Sequence, residues 1–542
     1  MPDLVLGPIL RYVDRSCATV WVETDARCEV EVLGHRASTF CIHGRHYALV
    51  AVTGLEPGSV TEYEVALDGE RRWPPPDLDL PPSAIRTLPS GGPVRMVVGS
   101  CRVPAPHEPP YDQPPGTHEH AIGVDALEAY ARRMAQADPQ EWPHLLLLLG
   151  DQVYGDEDPT ELHEMPVPDY EGYADLYDRA WSMPVIRWLF SMLPAAMVFD
   201  DHDIVDDWNI SQDWLDDISQ EDWWEEHAAG ALMSYWVYQQ LGNLSPAELA
   251  DDEVFAKVCA QDDGAEVLRP FAVEAEVDTR GEQGVRWSHA RDLGPARLVV
   301  IDARNGRVLE PGERSIIDED EMAWVEEQAT DSPRHLLLAS SVPFLTAPGF
   351  HEVERWNEGV AEGRWGRWFK GPAEKIRRGL DLEHWAAFGR SFAWLERLLR
   401  SVASGERGRA PETITMLSGD VHFHYVSRAW FEDAPEVHSR MHQVVSSPIR
   451  HGIDGEDRFV LRIGGSNVAA WLGRALRRSA RLGPPELCWW MEHGPWFRNG
   501  VVTLEIDEER CRLLVEALPE EGGDEFERLC DLDLAEVSPS GT

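Results

Sequence analysis

The chain is 542 residues long and carries 49 Lys plus Arg against 96 Asp plus Glu, a formal net charge of −47. That length holds roughly two to four domains, and 43% apolar with 27% charged residues mark a globular chain, not a disordered one. So negative a chain repels phosphate backbones and anionic bilayers, which sets aside generic nucleic-acid and membrane-surface binding.

The opening MPDLVLGPILRYVD has no basic n-region, no h-region and no twin arginine, so no export signal is read there. Eight scattered cysteines form no CxxC and no zinc-like spacing, which fits free thiols in a reducing, cytoplasmic setting. From 1 to about 90 the chain reads as short strands, ATVWVE (18–23), CEVEVL (28–33), YALVAV (47–52) and EYEVAL (62–67), separated by turn residues. This spacing predicts a small β-sandwich of fibronectin-III or immunoglobulin-like type, closed by a proline-rich exit and the linker Ser90-Gly91-Gly92-Pro93.

From Val94 the pattern changes. Six apolar runs each stop abruptly at small or polar residues: RMVVGSC, HLLLLLGDQVY, AAMVFDDHD, ARLVVIDAR, HLLLASS and TITMLSGDVH. Continuous apolar runs predict strands buried on both faces. The amphipathic stretches between them (124–137, 172–193, 318–329 and 385–402) predict helices and an α/β layered domain. The longest run, Leu145–Leu149, is too short to span a bilayer. Ligands in such sheets sit beyond the carboxyl ends of the strands, so the six polar clusters are expected to converge on one rim. Residues 501–519 predict a closing hairpin, and from Glu520 an acidic, poorly ordered tail is expected. The domain reading is a β-sandwich at 1–92, a catalytic domain at 93–519 and an acidic tail at 520–542.

Gly150-Asp151-Gln152-Val153-Tyr154 follows the five leucines. An aspartate at a strand end, after a glycine that permits a tight turn, is placed to bridge two cations. Tyr154 can offer a phenolate to a hard trivalent ion. The same segment also reads as a turn with Asp151 capping the next helix. In Asp200-Asp201-His202-Asp203 the acidic character is denser: twelve carboxylates and no Lys or Arg lie between positions 200 and 226, beside Trp208, Trp214, Trp223 and Trp224. Carboxylates crowded there raise one another's pKa unless cations neutralise them. Residues 213–226 read as a solvated loop, whereas Asp201 and His202 closely follow a buried run.

Ser418-Gly419-Asp420-Val421-His422 repeats the pattern. Asp420 and His422, two apart on an extended segment, share one face and can serve one dinuclear centre, with His424 of the same parity read as a satisfied neighbour. Cys101 is open to three readings: a small buried hydrophobe, a nucleophile, or a thiolate ligand favouring iron or another transition ion. Arg304 suits bidentate capture of phosphate oxygens and reads equally as a surface arginine.

Taken in order, VVGSC, LLLGDQVYGD, VFDDHDIVDDWN, VIDAR and MLSGDVHFHY resemble the PhoD-like (alkaline phosphatase D) branch of the metallophosphoesterases, over about residues 1–515. The resemblance implies a four-layer αββα core behind the β-sandwich and a di- or trinuclear metal centre that hydrolyses phosphate esters. It casts Cys101 and Tyr154 as ligands to ferric iron (Fe3+) and Asp151 as the bridging carboxylate. Asp201 stands where relatives carry a ligand asparagine before the catalytic histidine, here His202. Asp420 and His422 stand where relatives carry paired histidines. Oxygen-rich ligation of the second ion implies calcium (Ca2+). The chain departs from that branch in lacking a twin-arginine signal, so an intracellular ester is the expected substrate.

The mechanism so implied has a metal-bound hydroxide attacking phosphorus, Arg304 holding the phosphate and His202 protonating the leaving alkoxide. The expected partner is a small phosphate ester, with no stable nucleic-acid partner. Two rivals stand beside it: a phosphodiesterase acting on lipid or nucleotide, and a non-catalytic metal-binding interaction module. The basic stretches 364–378 and 471–481 bear on the first rival, either bordering an anionic channel or forming solvated faces.

Overall fold

The computed structural model describes residues 1–156, 167–277, 285–452 and 467–536. Its first ten strands are β1 (Leu4–Val13), β2 (Cys17–Thr24), β3 (Glu29–Val32), β4 (His35–Ser38), β5 (Phe40–Ile42), β6 (Arg45–Thr53), β7 (Val60–Glu62), β8 (Val65–Leu67), β9 (Glu70–Trp73) and β10 (Ala84–Arg86). They form antiparallel sheets in the orders β1-β2-β6-β5 and β4-β3-β8-β9, with β10-β7 as a separate pair. Strand side chains alternate between faces. Val20 and Val22 of β2 and Ala48 and Val50 of β6 therefore meet Val30 and Val32 of β3 and Val65 and Leu67 of β8 in one cluster. The expected β-sandwich is this arrangement.

The remaining strands are β11 (Val94–Gly99), β12 (Leu145–Leu149), β13 (Ala195–Val198), β14 (His289–Asp292), β15 (Ala296–Ile301), β16 (His335–Ser340), β17 (Thr413–Ser418), β18 (His424–Phe431), β19 (Arg440–Val445), β20 (Leu487–Trp496), β21 (Gly500–Ile506), β22 (Cys511–Ala517) and β23 (Glu527–Asp533). They build a six-stranded sheet, β13-β12-β11-β21-β22-β23, and a seven-stranded sheet, β14-β15-β16-β17-β19-β18-β20. β11, β12 and β13 run parallel, as do β15, β16 and β17. All six apolar runs are therefore strands, and their carboxyl ends lie in two parallel sets.

Face alternation explains the run of leucines in β12. Leu145, Leu147 and Leu149 pack with Leu298 and Val300 of β15 and Leu337 and Ala339 of β16, so the two sheets share one core. Leu146 and Leu148 enter the other cluster, together with residues of the helices Ala126–Gln136 and Pro184–Met192. A strand covered on both sides needs apolar residues at every position.

Two expectations change in detail. The stretch 172–193 is two helices, Tyr170–Trp181 and Pro184–Met192, because Pro184 can open a helix but cannot continue one. The acidic tail is corrected: its residues Glu527–Asp533 form β23, paired antiparallel with β22, so the six-stranded sheet extends past position 519. Residues 537–542 of that tail lie outside the described part. Among the described residues no helix is long and apolar enough to cross a membrane.

Candidate metal centre

The turns that follow β11, β12 and β17 carry the candidate residues in strained backbone. Cys101, Asp151, Asp420 and His422 all have positive φ, at 53°, 54°, 69° and 56°. Left-handed conformations cost a non-glycine residue free energy and gather where surrounding structure enforces them for function. The glycines beside them permit close approach. A Cβ on Gly150 would lie 2.4 Å from the Cβ of Asp200, and one on Gly419 would lie 2.3 Å from the Oγ of Ser100. Asp203 secures the turn after β12: its carboxylate accepts from the backbone N–H groups of Asp151 (2.9 Å), Gln152 (3.1 Å) and Asp200 (2.9 Å).

Among the described residues three donor groups result, each with ligand atoms within 4.8 Å of one another: Cys101, Asp151 and His422; Asp151, Asp200 and Asp201; and Asp201, Glu383 and Asp420. Asp151 joins the first group to the second, and Asp201 joins the second to the third. Asp420 and His422 thus fall into different groups. The one-face reading of the two fails because neither residue is extended. Tyr154 is buried beside this array, its ring stacked on His202 with centroids 4.8 Å apart. His424 lies apart, donating from Nε2 to the carbonyl of Arg498 at 3.0 Å.

Arg304 sits among the carboxylates, wholly buried. Its Nε reaches Asp200 and its Nη1 reaches Glu383, while Nη2 lies 3.0 Å from Asp201 and 3.2 Å from Asp420. The phosphate-receiving arginine of the sequence reading is therefore turned toward four carboxylates inside the protein. Among the described residues, two acids of this array keep an oxygen without a hydrogen-bond partner, Asp151 Oδ1 and Asp200 Oδ2. Burial first, with help from each one's acidic neighbours, pushes both carboxyls well above the usual range, at Asp200 against the opposing charge of Arg304. An array with more negative charge than Arg304 and Arg307 balance is one that cations would relieve. The donors present therefore fit metal ions.

The imidazoles divide in character. Burial and the neighbouring His202 push His422 down to about 4, leaving the neutral ring that a metal requires. Burial works against charge on His202 too, but Asp156 together with Asp201 and Asp151 outweighs it and holds this ring well above its ordinary value. Asp156 Oδ2 lies 3.0 Å from His202 Nδ1 and also accepts from the backbone N–H of Asp206 at 2.7 Å. His384 links Glu354 (2.8 Å from Nδ1) to Asp420 (3.1 Å from Nε2), and with Arg304 it holds Asp420 well below the carboxylate range against the effect of burial.

Sequence reasoning missed Asp200 and Glu383 as donors, and Asp156 and His384 as the supports of His202 and Asp420. Asp200 stood within the Asp-Asp-His-Asp run that was read. Glu383 follows no apolar strand, so nothing local marks it.

The family model "Domain of unknown function (DUF7800)" matches residues 1–85, the N-terminal sandwich. No curated protein matches the chain. Among solved structures, "Structure of PhoD" aligns over 99% of this chain and 93% of that one at 12% identity, with a TM-score of 0.61. "GAP50 the anchor in the inner membrane complex of Plasmodium" aligns over 81% and 88% at 10% identity with a TM-score of 0.30, too low to support an inference. The sandwich, the mixed sheets behind it and the near-complete alignment with the first of these place the chain in a PhoD-like α/β fold.

Proposed function

We propose that the protein is a metal-dependent phosphoester hydrolase. The observation that carries this reading is the chain of three donor groups linked through Asp151 and Asp201 at the strand ends of a PhoD-like fold. Cys101, Asp151 and His422, with Tyr154 close by, offer sulfur, oxygen and nitrogen, a set that suits a transition ion such as iron. Asp201, Glu383 and Asp420 offer oxygen alone, which suits a hard cation such as calcium. Bound ions supply the positive charge that activates a water and neutralises phosphoryl oxygens.

The protein's own residues do the rest. Water attacks phosphorus and the bond to the ester oxygen breaks; His202, kept protonated by Asp156, delivers its proton to the departing alkoxide. Arg304 keeps Asp200, Asp201, Glu383 and Asp420 assembled when their mutual repulsion would spread them, which is a positioning role. The four-layer αββα arrangement is supported by the core shared between the two sheets, with helix residues on their other faces.

The test is hydrolysis of a chromogenic phosphate ester with and without chelator, with metal content measured on the same samples. Asp151→Asn removes the charge common to two donor groups and is expected to abolish turnover and lower metal retention. Full turnover with full metal content in that variant would reject the assignment.

A further inference from the structure

Whole-chain charge hides a local reversal. Residues 364–372, Arg-Trp-Gly-Arg-Trp-Phe-Lys-Gly-Pro, are all exposed and include no acid. Trp368 is 80% exposed and Phe369 47%. The Arg367 guanidinium lies over the Trp368 ring, 5.1 Å from its centroid. A second segment repeats the composition: on the helix Asn467–Ser479, Trp471 is 64% exposed and Leu472 51%. Trp471, Arg474 and Arg478 fall on its outward side, while Gly473 and Arg477, and Ala480 just past its end, are buried.

Both segments are carried by one support, the helix Pro348–Ala361. Val360 of that helix, Ala373 beyond the first segment and Ala480 at the end of the second share a small apolar cluster. The Cβ position of Gly359 is flanked by Arg364 at 3.2 Å and Ala480 at 3.5 Å, so the two basic segments abut. The same helix supplies Glu354, which holds His384 against Asp420 at the candidate metal centre.

Exposed tryptophan, phenylalanine and leucine interleaved with Arg and Lys have the composition of surfaces that lie in the headgroup layer of a bilayer. Charge selects the leaflet. The patch is cationic, and the rest of the −47 surface is felt only within about 8 Å at physiological salt. A second copy of this chain would bring like charge against like in a two-fold contact. We infer that this surface, formed by 364–372 and the outward side of Asn467–Ser479, docks on an anionic lipid bilayer and holds the metal centre beside it. The inference does not depend on the hydrolase reading, because its measurement is partition onto vesicles and not turnover.

The experiment is co-sedimentation of the full chain with vesicles of phosphatidylcholine alone or with about 30% phosphatidylglycerol, at about 0.15 M salt. Partition is expected to be at least about tenfold stronger onto the anionic vesicles. Reversing three charges in R364E/R367E/K370E should weaken it about a hundredfold or more, since each basic group near the surface is worth about fivefold. The double variant W368S/W471S should weaken it about tenfold through lost insertion. These side chains are exposed, so thermal unfolding should stay at the wild-type temperature. Absence of partition, or wild-type partition by both variants, would overturn the inference. So would a lipid-free dimer that W368S/W471S dissolves, which would assign the surface to a second copy. Retention of W368S/W471S at wild-type strength on both heparin and vesicles would overturn it in favour of a general polyanion site.

Discussion

His202 and Arg304 are both cationic side chains at the strand ends, yet their surroundings give them opposite tasks. His202 is held by Asp156 through Nδ1, and its charge is favoured despite burial. His202→Ala is expected to leave metal content unchanged and to slow esters of poor leaving groups roughly 10²–10⁴-fold, with much smaller loss on activated aryl esters. Steady-state rates on both ester types decide it; equal losses would make His202 a ligand or a structural residue. Arg304 is the counter-charge of a buried acidic array. Removing one partner of a buried charge network costs about 3–5 kcal/mol. Arg304→Met in chelated protein should therefore unfold at markedly lower temperature, with added divalent cation restoring part of the loss. A residue that served only to receive phosphate would instead keep its melting temperature and raise KM.

At the scale of elements, the turns after the strands do the positioning, and Gly150 is where that is most exposed to test. Its φ of 95° and the 2.4 Å approach of a Cβ to Asp200 mean that alanine strains the backbone and displaces a donor at once. Gly150→Ala is expected to cost about 1–3 kcal/mol and to lower metal retention, read by thermal unfolding and metal analysis. The convergence of this turn with Cys101 and with Asp201 was legible in the sequence, because strands buried on both faces advertise themselves and their ends must lie together. Asp201 and His422 could be picked from the same logic. Glu383 could not, since it comes from the connection between the helices Lys370–Arg378 and Gly389–Ala403 and is recruited by Arg304 across 79 positions. The parity argument for Asp420 and His422 assumed an extended chain, and the left-handed turn separated them. β23 was hidden for a different reason: an edge strand with one exposed side can carry acidic residues and still pair.

For the whole molecule, the question is whether the N-terminal sandwich is an appendage or part of the fold. Leu6, Ile9, Trp21, Phe40 and Tyr47 of the sandwich belong to the same hydrophobic cluster as Trp181, Phe190, Trp236 and Tyr238 of the domain behind it. Buried polar contacts cross the same boundary. Arg11 donates to the carbonyls of Tyr238 and Gln239, each at 2.6 Å, Tyr63 donates to the carbonyl of Ser191 at 2.8 Å, and Arg187 donates to that of Gly7 at 2.6 Å. Removing residues 1–92 would uncover large aromatic side chains and leave the carbonyls of Tyr238, Gln239 and Ser191 and the Arg187 guanidinium without these partners, at about 1–3 kcal/mol for each buried group so stranded and about 25 cal/mol for each Å² of apolar surface returned to water. Marginal native stability, about 5–15 kcal/mol, cannot absorb that sum. The full chain is therefore expected to unfold in one calorimetric transition, and the fragment 93–542 to aggregate or to bind a hydrophobic dye when expressed alone. Two separate transitions in the full chain, with a folded and monomeric fragment, would show that the sandwich is an independent unit joined to the metal centre by a tether.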